Sequence, residues 1–292
     1  MAEESSNRAS RAPAFAMSVD VEDYFQVWAF SDVVPRADWD RFELRVEETT
    51  RRVLDLFDRR SAKATFFLLG WIAERAPGLV REIAARGHEI AAHGYDHVKA
   101  FNQSRSEFSA DVKKTKRILE DISGEAVRGY RAAGFSIDAR APFAYEALCD
   151  AGYAYSSSSH PIAHEHYGDP HAPRAAHRIN GVIEAPVATA ELLGVRMSAA
   201  GGGWFRASPY ALSRLLISRA SKSMDGPVIF YFHPWEIDPD QPRIANASAR
   251  SRIRHYLNLA QMEGKIERLL GDFQWGRVDR ALGIVGAAEV QV

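Results

Sequence analysis

The stretch His88-Glu89-Ile90-Ala91-Ala92-His93-Gly94-Tyr95-Asp96-His97 leads from a short apolar run into two imidazoles four residues apart. On a helix, an HxxxH pair would place both rings on one face, where they can bind a divalent metal. Gly94 directly follows His93 and the apolar run is short, which favours a buried strand that ends in a loop. The stretch therefore predicts a strand over 88–93 whose carboxyl end carries two candidate metal ligands.

A metal held by these histidines needs at least a third ligand. The strongest candidates lie in Ser18-Val19-Asp20-Val21-Glu22-Asp23, where three acids crowd the end of the apolar run Ala14-Phe15-Ala16-Met17. The alternative is that both histidines are hydrogen-bonded structural residues of a polar loop, since His often has that role. The acid cluster favours the metal site.

Length and composition indicate an ordinary globular protein. The 292 residues suit one barrel-sized domain or two ordinary ones. Lys plus Arg total 37 against 38 Asp plus Glu, so the net charge does not favour nucleic acid or an anionic membrane as a partner. The single cysteine, Cys149, excludes an internal disulfide and a thiolate metal cluster, and we expect it to lie in the core.

The amino-terminal residues are polar and carry acids before any apolar run, unlike a secretory signal. The sequence contains no stretch of about 18 apolar residues, the length needed to span a bilayer. We therefore expect a cytoplasmic protein without a transmembrane segment, and a disordered start over residues 1–13.

Short apolar runs alternate along the chain with longer amphipathic ones, which is typical of a β/α fold. About seven strands alternating with helices predict parallel pairing, and this number of units favours a closed or nearly closed barrel over an open doubly wound sheet. The predicted strands are 14–19, 64–69, 88–93, 127–131, 153–156, 182–186 and 228–233. The predicted helices are 46–59, 72–86, 104–122 and 209–221.

Polar residues end four of these apolar runs. They are Asp20, His93, Arg131 and His233. In a parallel barrel the carboxyl ends of the strands meet at one face, where function is found. Any one of these residues alone is unremarkable, because a polar residue must follow every strand. Their convergence predicts one site.

These residues lie in segments that resemble polysaccharide deacetylases of the NodB-homology class, carbohydrate esterase family 4. Within that class the chain is similar to the subgroup encoded beside bacterial exopolysaccharide and exosortase (PEP-CTERM) loci. The resemblance covers about 14–240 and is carried by five ordered segments: Ser18-Val-Asp-Val-Glu-Asp-Tyr-Phe25, Ala64-Thr-Phe-Phe-Leu-Leu-Gly70, 88–97, Gly129-Tyr-Arg-Ala-Ala-Gly-Phe-Ser-Ile137 and Phe230-Tyr-Phe-His-Pro-Trp-Glu-Ile237.

The resemblance implies a distorted (β/α)7 barrel over 14–240 and a C-terminal extension over 241–292 packed on it, with a helix at about 258–270. It implies one divalent ion, most simply Zn²⁺, with Co²⁺, Mn²⁺ or Ni²⁺ as alternatives, and no organic cofactor. The activity that it implies is removal of N-acetyl groups from N-acetylhexosamine units of a polysaccharide, as part of carbohydrate metabolism.

The resemblance also assigns roles to individual residues. Asp20 matches the general base, and His93 and His97 match the two metal histidines. Arg131 would hold the base ionised and oriented, and His233 would be the general acid.

The third metal ligand stays open between Glu22 and Asp23. In the family's usual motif two acids are adjacent, whereas Val21 intervenes here. Period-two alternation puts Glu22 on the strand face of Asp20, but a strand that ends at Asp20 would free Asp23 to turn inward. We favour Asp23 because its shorter side chain resembles the family's usual aspartate.

The chain departs from the family at two positions. Ala133 replaces the usual proline in the loop whose next residue, Gly134, would offer its N–H to the oxyanion. Ser156 stands where an acid commonly follows the tyrosine, so an imidazole of the site is expected to lose a partner. Reduced activity or an altered substrate would follow.

Aromatic residues near these segments are candidates for a sugar platform: Tyr24, Phe25, Trp204 and Trp235. Burial in the barrel is the alternative for each, because large aromatics are mainly core material. Gly201-Gly202-Gly203 before Trp204 is expected to form a flexible loop at the site.

Two other functions fit the same barrel. One is an allantoinase-like hydrolase of a small cyclic amide. The other is a glycan-binding barrel without turnover, supported only by Ala133 and Ser156. The sequence leaves open the polymer, its linkage, the native metal and whether the chain forms a homo-oligomer.

Overall fold

The core of the protein is one mixed sheet that forms a half-barrel. The computed structural model describes residues 14–164 and 168–284. The strands are β1 (Phe15–Val21), β2 (Thr65–Leu68), β3 (Glu89–Ala92), β4 (Gly129–Tyr130), β5 (Tyr155–Ser156), β6 (His177–Ile179), β7 (Val182–Glu184), β8 (Thr189–Leu192), β9 (Val195–Ser198), β10 (Val228–Phe232) and β11 (Trp275–Gly276).

Within the described ranges, seven strands run parallel in the order β10-β1-β2-β3-β4-β5-β7. Strand β6 adds to β7 in the antiparallel direction, and β8 and β9 form a separate hairpin. Strand β11 pairs with the beginning of β1, beside β2. The predicted distorted (β/α)7 barrel is therefore confirmed, and the open doubly wound alternative is not needed.

Helices cover the sheet between the strands. They are α1 (Val46–Arg59), α2 (Gly70–Arg75), α3 (Pro77–Ala85), α4 (Arg105–Ser123), α5 (Ala144–Asp150), α6 (Gly202–Ala207), α7 (Tyr210–Ser223), α8 (Ala249–Tyr256), α9 (Leu259–Asp272) and α10 (Val278–Ala281). Helix α4 shows how local sequence sets the ends: Ser104 and Glu107 form a capping box, and Gly124 closes the helix in the left-handed conformation at φ 71°.

The predicted helix 72–86 is two helices in the structure. It breaks at Ala76, whose backbone leaves the helical region at φ −126° and ψ 55°. The ring of Pro77 causes the break, because it disfavours the helical conformation of the preceding residue while fitting the first turn of the next helix.

The register of the parallel strands sets the position of the site. Phe232 of β10 pairs with Val19, Val21 pairs with Leu68, and Leu68 pairs with Ala92. The residues that end these strands therefore meet at one edge of the half-barrel, as parallel pairing predicts. They include Asp20 near the end of β1, Glu22 directly after β1, His93 after β3 and His233 after β10.

The C-terminal part of the chain packs around that edge. Helix α9 contacts the 3₁₀ turn Pro234–Ile237, and α8 contacts the 3₁₀ turn Trp28–Phe30. Cys149 is exposed in the last turn of α5, so the expectation that it lies in the core is wrong: the buried residues of this helix are Ala144, Ala147 and Leu148. Residues 1–13, predicted to be disordered, lie outside the described ranges. Among the residues described, no helix has both the length and the apolar character of a membrane span.

Candidate active site

A cleft of about 540 Å³ opens at the carboxyl ends of the strands. Its floor is formed by charged side chains that the sequence marked as candidates: Asp20, Glu22, His93, His97 and His233. These side chains come from three different strands and one loop, so only the folded barrel brings them together.

His93 and His97 are both held by main-chain carbonyls. Nδ1 of His93 donates to the carbonyl oxygen of Arg131 at 2.8 Å, and Nδ1 of His97 donates to that of Gln26 at 3.0 Å. A carbonyl only accepts, so in the neutral form of each ring Nε2 carries the lone pair, as a metal-ligating histidine requires. Burial lowers the pKa of His93 to about 4, which keeps this ring neutral at physiological pH.

Glu22 completes this cluster. Its Oε2 lies 3.0 Å from Nε2 of His97, yet this buried oxygen accepts no hydrogen bond from any residue that the structure describes. Two electron-rich atoms this close repel each other unless a cation or a proton lies between them. The ligand atoms of Glu22, His93 and His97 all lie within 4.8 Å of one another, so this donor set fits a divalent ion such as Zn²⁺.

Asp23, the ligand favoured from the sequence, faces away from the histidines. One of its oxygens accepts from the N–H groups of Arg45 and Val46 at 2.8 and 2.9 Å, and the other accepts from the N–H of Tyr24 at 2.8 Å. Both oxygens are thus used by the main chain, and Asp23 caps α1, whose own cap residue makes no side-chain bond. Strand β1 continues to Val21, which is why Glu22 rather than Asp23 takes the position beside the histidines.

Asp20 and Arg131 form a fully buried ion pair. Nη1 of Arg131 donates to Oδ1 of Asp20 at 2.6 Å and to the hydroxyl of Ser18 at 2.8 Å. The rest of the guanidinium donates to the carbonyl and the hydroxyl of Ser157 at 3.0 and 2.9 Å. Burial alone would raise the pKa of Asp20, but the charges of Arg131 and the nearby histidines outweigh it and lower that pKa. Asp20 is therefore an ionised carboxylate in a fixed orientation.

His233 is paired with a carboxylate that the sequence reasoning missed. Its Nδ1 donates to Oε1 of Glu236 at 2.7 Å, and its Nε2 lies 3.4 Å from Oε1 of Glu22. Although burial works against it, these two carboxylates raise the pKa of His233 to about 9. The other oxygen of Glu236 accepts from Arg206 at 3.0 Å. An imidazolium able to donate a proton therefore faces the cleft.

Ser156 does not leave this imidazole without a partner, contrary to expectation. The carboxylate comes from Glu236, three residues after His233 in the turn that follows β10. Near Ser156 itself, Glu184 of the neighbouring strand accepts from the N–H groups of Ser158 and Ser159 at 3.0 and 2.9 Å. Those bonds order the segment whose preceding residue, Ser157, holds Arg131.

The aromatic candidates divide into cleft and core. Trp204 is 43% exposed and Trp235 is 8% exposed, and both line the cleft together with Gly134. Tyr24 is buried and packs its ring against Phe25, at 5.3 Å between centroids, so it is a core residue and not a sugar platform. Trp28, which the sequence reasoning did not single out, also lines the cleft and is 42% exposed.

The three glycines 201–203 are not a flexible loop. Gly201 forms a bridge with Tyr231 of β10, and a Cβ built at Gly201 would lie 1.9 Å from the carbonyl oxygen of Tyr231. Only glycine permits that approach, at φ 111°. The next residues begin α6, so the glycines anchor a helix against the strand that leads to His233.

Two family models match the chain, one after the other. Residues 36–156 match the model described as "Polysaccharide deacetylase", and residues 157–283 match "Domain of unknown function (DUF3473)".

Curated relatives match over shorter stretches. A peptidoglycan-N-acetylglucosamine deacetylase of Bacillus cereus is 38% identical over 84 residues, which are 29% of this chain and 30% of that protein. A second one from the same organism is 33% identical over 104 residues, 36% of this chain and 47% of that protein. A chitooligosaccharide deacetylase of Sinorhizobium fredii is 34% identical over 84 residues, covering 28% and 39%. The matches thus span less than half the length of these relatives.

Solved structures share the fold over nearly the whole chain. A protein of Mycobacterium smegmatis assigned as a polysaccharide deacetylase has a TM-score of 0.57 at 18% identity, covering 96% of this chain and 90% of that one. A CE4 family pseudoenzyme from Bacillus anthracis has a TM-score of 0.50 at 13% identity, covering 93% and 66%. At such identities the likeness concerns the fold alone. The chain is therefore similar to polysaccharide deacetylases over residues 36–156, and it shares the fold of these structures over nearly its whole length.

Proposed function

We propose that this protein is a metal-dependent hydrolase that removes N-acetyl groups from N-acetylhexosamine units of a polysaccharide. The observation that carries the proposal is the Glu22 and His97 pair: Oε2 of Glu22 and Nε2 of His97 lie 3.0 Å apart, between the buried carboxylate of Asp20 and the partly buried imidazole of His233. That arrangement supplies a cation site, a base and an acid within one cleft, which are the groups that amide hydrolysis needs.

The metal would be held by Glu22, His93 and His97. A divalent ion bound there would polarise an acetyl oxygen and lower the pKa of water towards about 7. Two neutral imidazoles and one carboxylate suit Zn²⁺, with Co²⁺, Mn²⁺ or Ni²⁺ as alternatives. The native ion is part of the proposal and is settled by elemental analysis.

Asp20 serves as the general base. It is ionised, because Arg131 lowers its pKa, and it lines the cleft together with His93. Arg131 and Ser18 fix the orientation of the carboxylate, so Asp20 takes a proton from the attacking water without first rearranging.

His233 serves as the general acid. An amine is a poor leaving group until it is protonated, and the proton on Nε2 of His233 points into the cleft because Nδ1 is bonded to Glu236. Gly134, whose N–H is the candidate oxyanion donor, lines the same cleft.

The substrate is proposed to be an acetylated polymer, with an exopolysaccharide as the specific candidate. Curated relatives named for peptidoglycan and chitooligosaccharide deacetylation support an N-acetylated glycan. The cleft volume of about 540 Å³, with Trp28 and Trp204 among the lining residues, supports a chain over a monosaccharide. The proposed activity does not depend on the location of the protein in the cell or on the formation of a homo-oligomer.

The test is acetate release from soluble N-acetylglucosamine oligomers by protein of known metal content. Wild type is expected to hold one divalent ion per chain and to release acetate, whereas a His93→Ala, His97→Ala variant should hold none and release none. A cyclic amide such as allantoin serves as the second substrate. Turnover of the cyclic amide alone would select the allantoinase-like alternative, and oligomer binding without any turnover would select the non-catalytic one.

A further inference from the structure

The two family segments are parts of one sheet. Tyr155 and Ser156 of β5 end the polysaccharide deacetylase match, and they pair directly with Ile183 and Glu184 of β7 in the segment of unknown function. At the other side, β10 of that segment pairs along the whole of Phe15 to Val19 in β1. The boundary at residue 156 therefore runs through the half-barrel, and residues 157–283 are not a separate module.

The segment 157–283 contributes a second buried ion pair to the site. Nη1 of Arg206 donates to Oε2 of Glu236 at 3.0 Å, and both side chains are almost fully buried. The opposite oxygen of Glu236 holds Nδ1 of His233 at 2.7 Å. A guanidinium, a carboxylate and an imidazole thus form one line that ends in the cleft.

Arg206 is itself held from the C-terminal side. Its Nη2 donates to the carbonyl of Arg254 in α8 at 2.6 Å. The end of α6 is clamped by Lys265 of α9, whose ammonium donates to the carbonyls of Arg206 and Ser208 at 2.9 and 2.8 Å. The start of α6 is fixed by Gly201 against β10. The bonds from Arg206 to Arg254 and from Lys265 to Arg206 therefore join the extension to the residue that holds Glu236.

A ring stack adds a second connection. Trp235 lies between His233, at 5.3 Å and 22° between planes, and His255 of α8, at 4.1 Å and 14°. The indole N–H of Trp235 also donates to Oε1 of Glu22 at 3.3 Å. The ring of His255 therefore holds the indole of Trp235, which contacts both His233 and Glu22.

We propose that the segment 157–283 is the proton-donating half of the catalytic site, and that Arg206 is its positioning residue. Arg206 holds Glu236, Glu236 fixes the tautomer and direction of His233, and the helices α8 and α9 keep Arg206 in place. This inference rests on the proposed function for its kinetic consequences, but its structural consequence stands independently: without Arg206, the bond between Glu236 and His233 is lost.

The kinetic experiment compares Arg206→Met, Arg206→Lys and Arg214→Met in the full-length, metal-loaded protein. Outer partners of site residues typically contribute about 10- to 100-fold to activity. Arg206→Met should lower kcat for an N-acetylated oligomer by about that factor while KM and metal content stay unchanged. Arg206→Lys keeps the charge but cannot reproduce both bonds of the guanidinium, to Glu236 and to the carbonyl of Arg254. It should retain more kcat than Arg206→Met. Arg214 of α7 pairs with Asp272 of α9 at the surface, so Arg214→Met should match wild type.

An aryl acetate ester separates positioning from general damage. Its phenolate leaves without a proton, so a misplaced His233 should slow it much less than it slows the amide. An equal loss on both substrates, or full activity of Arg206→Met on the amide, overturns the proposal. If Arg206→Met does not fold, Arg206→Gln, which is polar but uncharged, is measured in its place, with the same expected selective loss.

A spectroscopic readout keeps this test apart from the proposed function. In ¹⁵N-labelled protein, the Nδ1–H of His233, assigned by its disappearance in His233→Gln, should show the shift of a hydrogen-bonded imidazole. Arg206→Met should remove or displace that resonance, and Arg214→Met should leave it in place. An unchanged resonance in Arg206→Met overturns the positioning role, whether or not wild type releases acetate. Failure of wild type to release acetate would count against the proposed function alone.

Discussion

Nη1 of Arg131 lies 2.6 Å from Oδ1 of Asp20, with both side chains withdrawn from solvent. The pair would be costly to bury if either charge were left alone, and each fork of the guanidinium is satisfied by Ser18 or Ser157. Arg131 therefore does more than neutralise a charge: it fixes the orientation of the Asp20 carboxylate, which lines the cleft.

Asp20→Asn should retain the fold and the metal but lose most turnover. The amide keeps the size of the side chain but removes the proton acceptor, and a general base contributes about 10²–10⁴-fold. The measurement is kcat for an acetylated oligomer beside metal content, with Asp121→Asn on the exposed face of α4 as the matched control. Activity of Asp20→Asn within a factor of two of Asp121→Asn would remove Asp20 from the role of base.

Glu22→Ala should release the metal, whereas Asp23→Ala should keep it. A carboxylate oxygen of Glu22 lies in the cluster with His93 and His97. Both oxygens of Asp23 accept hydrogen bonds from main-chain N–H groups, one from Tyr24 and the other at the start of α1. Loss of a helix cap costs about 1 kcal/mol and up to about 2. Asp23→Ala should therefore lower the free energy of unfolding in urea while elemental analysis still finds one ion per chain. Metal loss in Asp23→Ala, with retention in Glu22→Ala, would reverse the assignment.

This pair of acids shows where sequence reasoning reaches its limit. Alternation along a strand placed Glu22 with Asp20, and a strand ending one or two residues earlier would have favoured Asp23. The outcome depended on where β1 ends and on α1, which begins at Val46, 23 residues after Asp23. The cap residue of α1 makes no side-chain hydrogen bond of its own. Strand ends are the least certain part of a sequence-based prediction, and contacts between distant segments are not visible in it.

Trp28→Ala and Trp204→Ala should raise KM for long oligomers more than for a disaccharide. Both indoles line the cleft with over two-fifths of their surface exposed, which suits stacking on sugar rings beyond the reacting unit. If a sugar face gains about 0.5–1.5 kcal/mol, as a second aromatic ring does, KM rises about 2- to 12-fold. Leu215→Ala, which removes an exposed apolar side chain of α7, is the control. Equal KM values at all chain lengths would exclude both indoles from binding.

The residues at strand ends were predictable, and their supporting partners were not. Asp20, His93, Arg131 and His233 each follow an apolar run, so period and position were enough to group them. Glu236 had a local signal, since His233 and Glu236 are spaced three apart across a proline that begins a turn. Arg206 had none: it lies 30 residues from Glu236, and a buried arginine looks like a surface arginine in the sequence.

Stability should fall as pH rises through neutrality, because of Glu89 at the opposite end of β3. Burial first, and then the charge of Asp279, raise the pKa of this carboxyl from 4.5 to about 8. The folded protein thus binds the proton more tightly than the unfolded chain, so between these two values unfolding releases a proton and higher pH lowers the free energy of unfolding. Each unit of such a shift represents about 1.4 kcal/mol.

Glu89→Gln isolates this effect. The difference in unfolding free energy between the variant and wild type should move in favour of the variant by at least about 1 kcal/mol between pH 5 and pH 8.5. Urea unfolding at several pH values measures it. A constant difference across that range would show that Glu89 titrates alike in both states.

The closure of β1 by β10 also sets the order in which the chain can fold. The hydroxyl of Ser18, two residues before Asp20 in β1, donates to the carbonyl of Phe230, 212 residues further on. Chain loops of that length make folding slow, because closure entropy must be overcome before the contact contributes. On the ribosome β1 waits with one edge unpaired until β10, Val228–Phe232, has been made. A nascent chain exposed for so long is a substrate for chaperones, and the catalytic centre is among the last parts of the molecule to form.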